Sequence, residues 1–319
     1  MNAPRFTVLM PTHYRPDVIG FAIRSVLAQT DPDFELLVVG DGAIAGTAEI
    51  VFGFGDPRIR WFDLPKGPAF GYANRNIALR ESRGELMAYA ADDDLMFPDH
   101  LERLGAAFAD SSVQWAYAPA FWVSSDGIAG PDLTNLELAD ERDYFTRTTN
   151  TIVGGSTVYR AEAFPSRAAF PEHVQQAADW HMMKTLLAAH GPGAMRRLDE
   201  PTLMHFVAGR KTRRDSRFDL LAGYLDIADR VDWWPRALHP AIPPGATPQS
   251  VYADILATPG GSAQLRAAAR LVVSRAALDW LSPRVMPSAG ANRHWRRSGL
   301  AMLSPLKNMA RRAYHALRR

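Results

Sequence analysis

The stretch LMAYAADDDLMFP, residues 86–98, decides the fold prediction. Its first six residues are apolar and indicate a buried strand, and Pro98 prevents that strand from continuing. Asp92, Asp93 and Asp94 follow at the carboxyl end of the strand, where they repel one another unless a hard divalent cation lies among them. A triple acid is also typical of a solvated turn, so the surrounding elements must decide between a cation site and a turn.

Strands and helices alternate regularly around this stretch. The apolar patterns predict strands at residues 6–10, 34–39, 59–64 and 115–123, and helices at residues 17–29, 46–52, 70–82 and 98–108. This order predicts a mostly parallel, Rossmann-like α/β sheet with helices on both faces. Ligands of such sheets bind at the carboxyl ends of the strands. Because Thr12, Asp41 and the triple acid each follow a predicted strand, we expect them to meet at one edge of the sheet.

The composition is that of an ordinary globular protein. The 319 residues suffice for one large domain or two modest ones, and 47% of them are hydrophobic. The chain has no cysteine, which excludes disulfides and cysteine-ligated zinc and is compatible with a reducing cytosol. No apolar run approaches the roughly 18 residues of a membrane span. We therefore expect a cytoplasmic location.

Positive charge is concentrated at the C-terminal end. Residues 291–319 carry eight Lys or Arg and no acid, which leaves 28 bases and 34 acids in the first 290 residues. Ser304 and Pro305 predict the start of a last helix, with apolar residues on one side and bases around the rest. This helix either contacts the inner face of a membrane peripherally or packs on the protein with its arginines in water. We expect no nucleic-acid partner, because nothing else in the sequence is typical of a nucleic-acid-binding protein.

Five segments of the first 105 residues match the order and spacing of motifs in a known family. They are VLMPT at residues 8–12, SVLAQT at 25–30, LVVGDG at 37–42, GYANRN at 71–76 and AADDDLMFP at 90–98. Together they resemble the inverting glycosyltransferases of family two, which have the GT-A fold and depend on nucleotide sugars. The resemblance fades after residue 110, and we see none after about residue 215.

The resemblance implies a division of the chain. A GT-A glycosyltransferase domain would cover residues 1–215, with a nucleotide-sugar half of about residues 1–108 and an acceptor half of about residues 109–215. Residues 216–319 would form a helical C-terminal extension that ends in the basic tail. A proline-rich stretch at residues 234–248 is typical of a linker or domain boundary.

Donor-binding residues follow from the same resemblance. Pro11, Thr12 and Asp41 would hold the nucleobase, with Asp41 accepting a hydrogen bond from the ring N–H of a uracil-type base. Arg75 would stack on or hydrogen-bond the nucleobase or the pyrophosphate. The alternatives are that Asp41 only forms a turn with Gly42 and that Arg75 is a surface arginine.

The triple acid matches the D-x-D region of the family, in which acids bind a metal ion. The usual first acid is replaced by Ala91, so the resemblance implies a consecutive arrangement. Asp93 would be the main metal ligand, Asp92 would contact the ribose or a metal-bound water, and Asp94 would contact the metal or form a local hydrogen bond. His205 resembles a late histidine that approaches the metal or the diphosphate, although a structural histidine is equally expected. The ion would be Mn²⁺ or Mg²⁺.

Asp179 matches the position of the catalytic base of the family, although the Glu that usually precedes it is Ala178 here. It would take the proton of an acceptor hydroxyl, and the alternative is a first-turn Asp that favours the positive end of its helix. Glu172 is the reserve candidate for the base. The basic cluster at residues 210–214 either closes over the diphosphate or is a solvated loop.

The resemblance therefore implies a metal-dependent inverting glycosyltransferase. It would move a sugar from a nucleotide diphosphate sugar, by preference a UDP-sugar, to an acceptor hydroxyl in polysaccharide or glycoconjugate synthesis. A non-catalytic nucleotide-binding protein on the same fold is one alternative, because Gly40, Ala91 and Ala178 depart from the family pattern. Another is a metal-dependent nucleotidyltransferase, but residues 11–15 lack the Gly-rich, lysine-containing phosphate loop that such an enzyme would need.

Overall fold

The computed structural model describes residues 3–206, 224, 225 and 227–281, with side chains up to residue 275. The basic cluster at residues 210–214 and the basic tail lie outside the described residues, so both predictions remain untested. The strands of the described part are β1 (Phe6–Thr12), β2 (Phe34–Asp41), β3 (Ile59–Leu64), β4 (Leu86–Tyr89), β5 (Leu95–Met96), β6 (Trp115–Tyr117), β7 (Ala120–Val123), β8 (Ala129–Pro131), β9 (Thr157–Arg160), β10 (Met195–Arg197) and β11 (Leu203–Phe206). The α-helices with defined bounds are α1 (Ile19–Leu27), α2 (Thr47–Phe52), α3 (Tyr72–Arg80), α4 (His100–Ala106), α5 (Ala139–Arg147), α6 (Ala178–His190), α7 (Pro248–Ala257) and α8 (Gly261–Leu281).

A seven-stranded sheet forms the centre of the molecule, in the order β10-β6-β9-β4-β1-β2-β3. Strand β9 is antiparallel to both of its neighbours, and the other pairs are parallel. The predicted mostly parallel α/β sheet with flanking helices is therefore confirmed. Strands β1 and β2 are buried almost throughout, which is the pattern expected when helices cover both faces of a parallel sheet.

The register of the central strands places the predicted polar residues at one edge. Thr12 pairs with Gly40 in the β1–β2 ladder, so Thr12 and Asp41 lie at neighbouring carboxyl ends. Strand β4 runs parallel to β1 and ends at Tyr89, three residues before the triple acid. We call this edge, with Thr12, Asp41 and Asp92–Asp94, the acid rim.

A second, four-stranded sheet in the order β5-β11-β7-β8 lies next to the acid rim. Strand β5 follows Asp94 directly and pairs antiparallel with β11, with Met204 opposite Leu95. Because the two strands are antiparallel, the next residue of β11 lies opposite the preceding residue of β5, and the register brings His205 opposite Asp94. A contact over more than 100 residues of sequence is thereby fixed by two short strands.

The single strand predicted over residues 115–123 is wrong in detail. The segment forms two strands, β6 in the large sheet and β7 in the small one. Pro119 separates them, and a proline has no N–H to donate to a continuing ladder. The peptide carbonyl of Pro119 instead accepts the N–H of Thr202 at 3.2 Å, close to the start of β11.

The C-terminal helices α7 and α8 pack on the sheet region. Tyr252, Leu256 and Leu265 belong to the same buried apolar cluster as Phe6 and Leu36. Helix α7 begins with a capping box between residues 247 and 250 and has a proline at its first position. Within the described ranges, none of the helices combines the length and the apolar character that a bilayer crossing requires.

A partly buried ion pair also joins α8 to Asp99, the residue before α4. Arg266 donates to both carboxylate oxygens of Asp99 at 2.7 Å and to the carbonyl of Pro201 at 2.9 Å. Burial acts to raise the pKa of Asp99, but the hydrogen bonds and the charge of Arg266 outweigh it, so the pKa lies below its ordinary value. The pair therefore stabilises the fold above the unfolded pKa of Asp99, and this stabilisation is lost as the pH falls through the lowered folded pKa.

We expect Arg266→Met to lower the free energy of unfolding by about 3 kcal/mol at neutral pH, because it leaves a partly buried carboxylate with only the longer ion pair to Arg103, at 3.6 Å. Chemical denaturation would measure this loss, which should shrink in acid as Asp99 becomes protonated. Arg270→Met is the matched control, since Arg270 lies one turn later and pairs with Glu200 at the exposed surface. We expect the control to cost less than about 1 kcal/mol, and equal losses in the two variants would contradict the prediction.

Candidate active site

Thr12 and Asp92 are in direct contact at the acid rim. The Thr12 hydroxyl donates to Asp92 Oδ2 at 2.8 Å, and Pro11 lies one residue earlier in β1, paired with Val39. Burial raises the pKa of Asp92 above its ordinary value, although the charge of Arg15 and the Thr12 hydrogen bond act in the opposite direction. The structure thus brings together two of the predicted donor-binding residues, which are 80 positions apart in sequence.

Arg15 is a rim residue that the sequence did not single out. It lies in the turn between β1 and α1, and its guanidinium pairs with both Asp92 and Asp93. The distance from Arg15 Nε to Asp92 Oδ1 is 3.9 Å, and Nη1 contacts Asp93 Oδ2 directly. The signal available in the sequence was a cation directly after the first strand, at the edge where ligands of such sheets bind.

Asp94 faces His205 rather than the open edge. Its carboxylate meets His205 Nδ1 at 2.8 and 3.0 Å and accepts the backbone N–H of Phe206 at 3.1 Å. The Trp122 and His205 rings pack edge to face, with the ring centroids 4.5 Å apart. Asp94 therefore hydrogen-bonds to Nδ1 of His205, so Nε2 is the ring nitrogen that could bind another partner. A carboxylate in this position commonly orients a metal-binding histidine.

A divalent ion at this edge would be bound jointly, by protein side chains and by the substrate. In the described part of the chain, no three His, Asp or Glu side chains are arranged as a ready metal centre. Mg²⁺ usually binds one or two carboxylates together with waters and substrate phosphates, so a complete protein cage is not required. Three carboxylates with one arginine leave an excess of negative charge. Asp93 and His205 are the residues that would hold the ion here, with Asp94 behind the histidine.

Asp41 lies under a loop that wraps around it. Its Oδ1 accepts the N–H of Gly67 and the side-chain amide of Asn74, both at 2.7 Å, and Lys66 Nζ donates to Oδ2 at 2.5 Å. Gly71 has φ 68°, and a Cβ on it would lie 2.3 Å from the Asp41 carboxyl carbon. Asp41 thus organises the loop, and only the half-exposed Lys66 could turn away to free an oxygen for a base.

Arg75 lies among aromatic rings between the acid rim and α6. Its guanidinium carbon is 4.9 Å from the ring centre of Tyr72, 5.6 Å from that of Tyr89 and 5.2 Å from that of Phe170. One terminal nitrogen donates to the carbonyl of Phe70 at 3.0 Å, while the buried Nε has no hydrogen-bond partner. Arg75 is therefore not a surface arginine, and its charge acts on Tyr89 and on Asp179.

Asp179 is a buried acid in the first turn of α6. Burial raises its pKa above the ordinary value, against the opposing effects of the Trp180 N–H, the charge of Arg75 and the amide of Asn150, which donates at 3.2 Å. Ala177, two residues before Asp179, has φ 55°, a left-handed conformation that costs an L-residue energy and recurs at functional sites. A Cβ at Gly154 would lie 2.9 Å from Asp179 Oδ2, so the glycine leaves room beside the carboxylate.

Asp179 also lines a small apolar cavity with Tyr89 and Phe170. Tyr89 is the last residue of β4, and burial raises its pKa, with smaller effects from the charges of Arg75, Asp179 and Asp92. Tyr89 therefore links Asp179 to the acid rim, because it lines the cavity with Asp179 and lies three residues before Asp92 in the chain. This arrangement joins the two groups of residues that the sequence assigned to donor binding and to proton removal.

Glu172, the reserve candidate, has a different environment. One of its oxygens accepts the side-chain amide of Asn76 at 2.8 Å and lies 3.7 Å from Arg80. Asn76 also exchanges two hydrogen bonds with the backbone of Phe170, so it holds this segment against α3. The carboxylate of Glu172 is half-exposed and engaged in this local network. These contacts favour Asp179 over Glu172 as the group that meets an acceptor.

Comparison with known proteins first defines the class and then the family. S. aureus TarS 1-349 in complex with UDP-GlcNAc superimposes with a TM-score of 0.52 at 20% sequence identity, covering 67% of this chain and 61% of that one. The fold is therefore that of the GT-A glycosyltransferases. Residues 7–166, half of the chain, match Glycosyl transferase family 2, and the protein belongs to this family.

The relatives share only parts of their length with this chain. An uncharacterized glycosyltransferase of Rickettsia conorii is 33% identical over 104 residues, which are 32% of this chain and 17% of that protein. The Escherichia coli UDP-Glc:alpha-D-GlcNAc-diphosphoundecaprenol beta-1,3-glucosyltransferase WfgD is 29% identical over 126 residues, or 39% of this chain and 49% of WfgD. The chain thus spans less than half of either relative.

Proposed function

We propose that this protein is a metal-dependent inverting glycosyltransferase that moves a sugar from a UDP-sugar to an acceptor hydroxyl in polysaccharide or glycoconjugate synthesis. One observation carries the proposal: Asp179, a buried carboxylate with a raised pKa, lines one cavity with Tyr89, which ends β4 three residues before the triple acid of the rim. A base and a site for a diphosphate are the two parts that such a transfer needs. The family membership supports the same class of reaction.

Two relatives support the choice of a UDP-sugar. WfgD is named for UDP-Glc, and the matched TarS structure is a complex with UDP-GlcNAc. The acceptor of WfgD is a diphosphoundecaprenol-linked sugar, and we infer that a lipid-linked glycan is one class of acceptor to test here. A location at the inner face of a membrane would suit such an acceptor and is part of the proposal.

The described residues divide the reaction into donor binding and proton removal. Asp41 and Thr12 would contact the nucleoside, and Asp93 and His205 would hold the divalent ion. When bound, that ion supplies positive charge that stabilises the departing diphosphate. Asp179 would accept the proton of the acceptor hydroxyl as it attacks the sugar carbon opposite the leaving group, and Asn150 would orient its carboxylate. Attack from the face opposite the leaving group gives inversion.

A nucleotide screen tests donor binding directly. We expect UDP with Mn²⁺ to raise the melting temperature of the full chain. At a ligand concentration of 100 times Kd, the free energy of unfolding should rise by about 2.7 kcal/mol. CDP and ADP with Mn²⁺ are the controls, because neither base presents the ring N–H that Asp41 would accept. No response to any nucleoside diphosphate with Mn²⁺ or Mg²⁺ would remove the proposed function. Binding without even slow hydrolysis of a UDP-sugar would favour the non-catalytic alternative.

The pH profile of transfer tests the proposed base. Because burial raises the pKa of Asp179, we expect kcat to fall, as the pH is lowered, at a pH above the ordinary Asp value of 3.8. The Asn150 amide favours the charged carboxylate, so Asn150→Ala should move this acid limb to higher pH. Initial rates at saturating donor and acceptor would measure the acid limb in the wild type and in Asn150→Ala. A shift to lower pH in Asn150→Ala would contradict the assignment.

A further inference from the structure

Arg15 is the cation that the protein itself supplies to the acid rim. Its guanidinium contacts Asp93 and lies 3.9 Å from Asp92, and its side chain is 24% exposed. The Arg15 carbonyl accepts the N–H groups of Val18 and Ile19, which fixes its backbone at the start of α1. The backbone of Arg15 is therefore anchored, while its side chain is partly open to solvent.

Arg15 and a divalent ion compete for Asp93. The guanidinium occupies Asp93 Oδ2, and two positive charges at ion-pair distance repel each other. A bound diphosphate changes this balance, because it offers the guanidinium a second anionic partner. Guanidinium groups bind phosphate oxygens in two-pronged hydrogen bonds, and Arg15 lies at the strand ends where such ligands bind.

We propose that Arg15 is an exchangeable counter-ion of the rim. It neutralises Asp93 in the protein without donor, and it turns to the diphosphate when the divalent ion takes its place on Asp93. This inference rests on the proposed function, because it assumes a diphosphate donor that binds with a metal ion. It assigns to Arg15 a positioning role that couples the binding of the ion to the binding of the nucleotide.

The coupling has two opposite consequences for binding. Without nucleotide, Arg15 competes with the ion, so its removal should strengthen ion binding. With nucleotide, Arg15 contributes to the diphosphate site, so its removal should weaken nucleotide binding. A purely structural salt bridge would not produce opposite signs in these two measurements.

Titration of the full chain with Mn²⁺, followed by the electron paramagnetic resonance signal of free Mn²⁺, measures the first consequence. We expect Arg15→Gln to bind Mn²⁺ alone about tenfold more tightly than the wild type, which is within the usual range of coupling between sites. Calorimetric titration with UDP at saturating Mn²⁺ measures the second, and we expect weaker binding in Arg15→Gln. Arg15→Met repeats the charge removal with an apolar side chain.

Arg24→Gln is the matched control. Arg24 is an exposed arginine of α1 that lies over the Phe21 ring, so its loss removes the same charge away from the rim. We expect wild-type values for this variant, and Arg15→Lys should stay nearer to the wild type than Arg15→Gln. Unchanged or weaker Mn²⁺ binding in folded Arg15→Gln and Arg15→Met, with UDP binding normally, would overturn the Arg15 proposal alone. Failure of wild-type protein to bind UDP with any metal would overturn both proposals.

Discussion

Replacing Asp179 with Asn is expected to abolish sugar transfer and to leave the binding of UDP and Mn²⁺ intact. The amide has nearly the shape of the carboxylate but cannot take a proton from a hydroxyl, so the loss should reach roughly 10²–10⁴-fold in kcat. Binding should survive because Asp179 lies in the first turn of α6, with Asn150 and Gly154 beside it, and not among the rim carboxylates. Initial transfer rates and calorimetric titration with UDP would measure the two effects.

Glu172→Gln distinguishes the two candidate bases. Glu172 is half-exposed and held by Asn76 and Arg80, so we expect this variant to keep most of the transfer rate. A third variant, Asp143→Asn, removes an exposed carboxylate of α5 that pairs with Arg147 and controls for the change of charge. If Glu172→Gln loses transfer and Asp179→Asn keeps it, the reserve assignment is correct. If neither variant loses transfer, the protein does not use a carboxylate base from this segment.

The fold could be predicted because its signals are local. Strands β1 and β2 are mostly apolar runs, each followed by a helix, and the carboxyl end of β4 is marked by the change from apolar residues to three acids. The split of residues 115–123 into β6 and β7 could not be predicted from periodicity, since both strands are buried throughout. Which sheet each strand joins depends on distant partners: β6 pairs with β9 and β10, and β7 pairs with β11, so these contacts span about 40 to 80 residues of the chain.

The site could be predicted only as a set of residue types at one edge. The resemblance supplied the positions of Asp41, Asp93 and Asp179, and the sheet register explains why the first two share an edge. The partners of these acids could not be predicted, because Arg15 and Lys66 reach them through space over 25 to 78 positions. The orientation of Asp94 toward His205 likewise depends on the pairing of β5 with β11.

Asp93→Asn is expected to remove the strengthening of UDP binding by Mn²⁺. If Asp93 is the main protein ligand of the ion, its loss should cost at least the roughly 10–100-fold in metal affinity that changes behind a metal ligand cause. Asp94→Asn is the matched comparison, because the Asp94 carboxylate is already engaged by His205 and the Phe206 N–H. The amide oxygen of the introduced asparagine can still accept both hydrogen bonds. We expect a smaller loss in Asp94→Asn, and the reverse order would make Asp94 the ligand.

UDP binding without metal gives the same variant a second, more specific outcome. Asp93→Asn removes one charged partner of Arg15 and leaves it the longer contact with Asp92, so the guanidinium meets the diphosphate more readily even when no ion is present. We therefore expect UDP alone to bind Asp93→Asn at least as tightly as it binds the wild type, although Mn²⁺ no longer helps. Adding Arg15→Gln to Asp93→Asn should then weaken the binding of UDP alone, and calorimetric titration in the presence of a chelator would measure it. Loss of metal-free UDP binding in the single variant would mean that Asp93 shapes the nucleotide site itself and does not act through the ion.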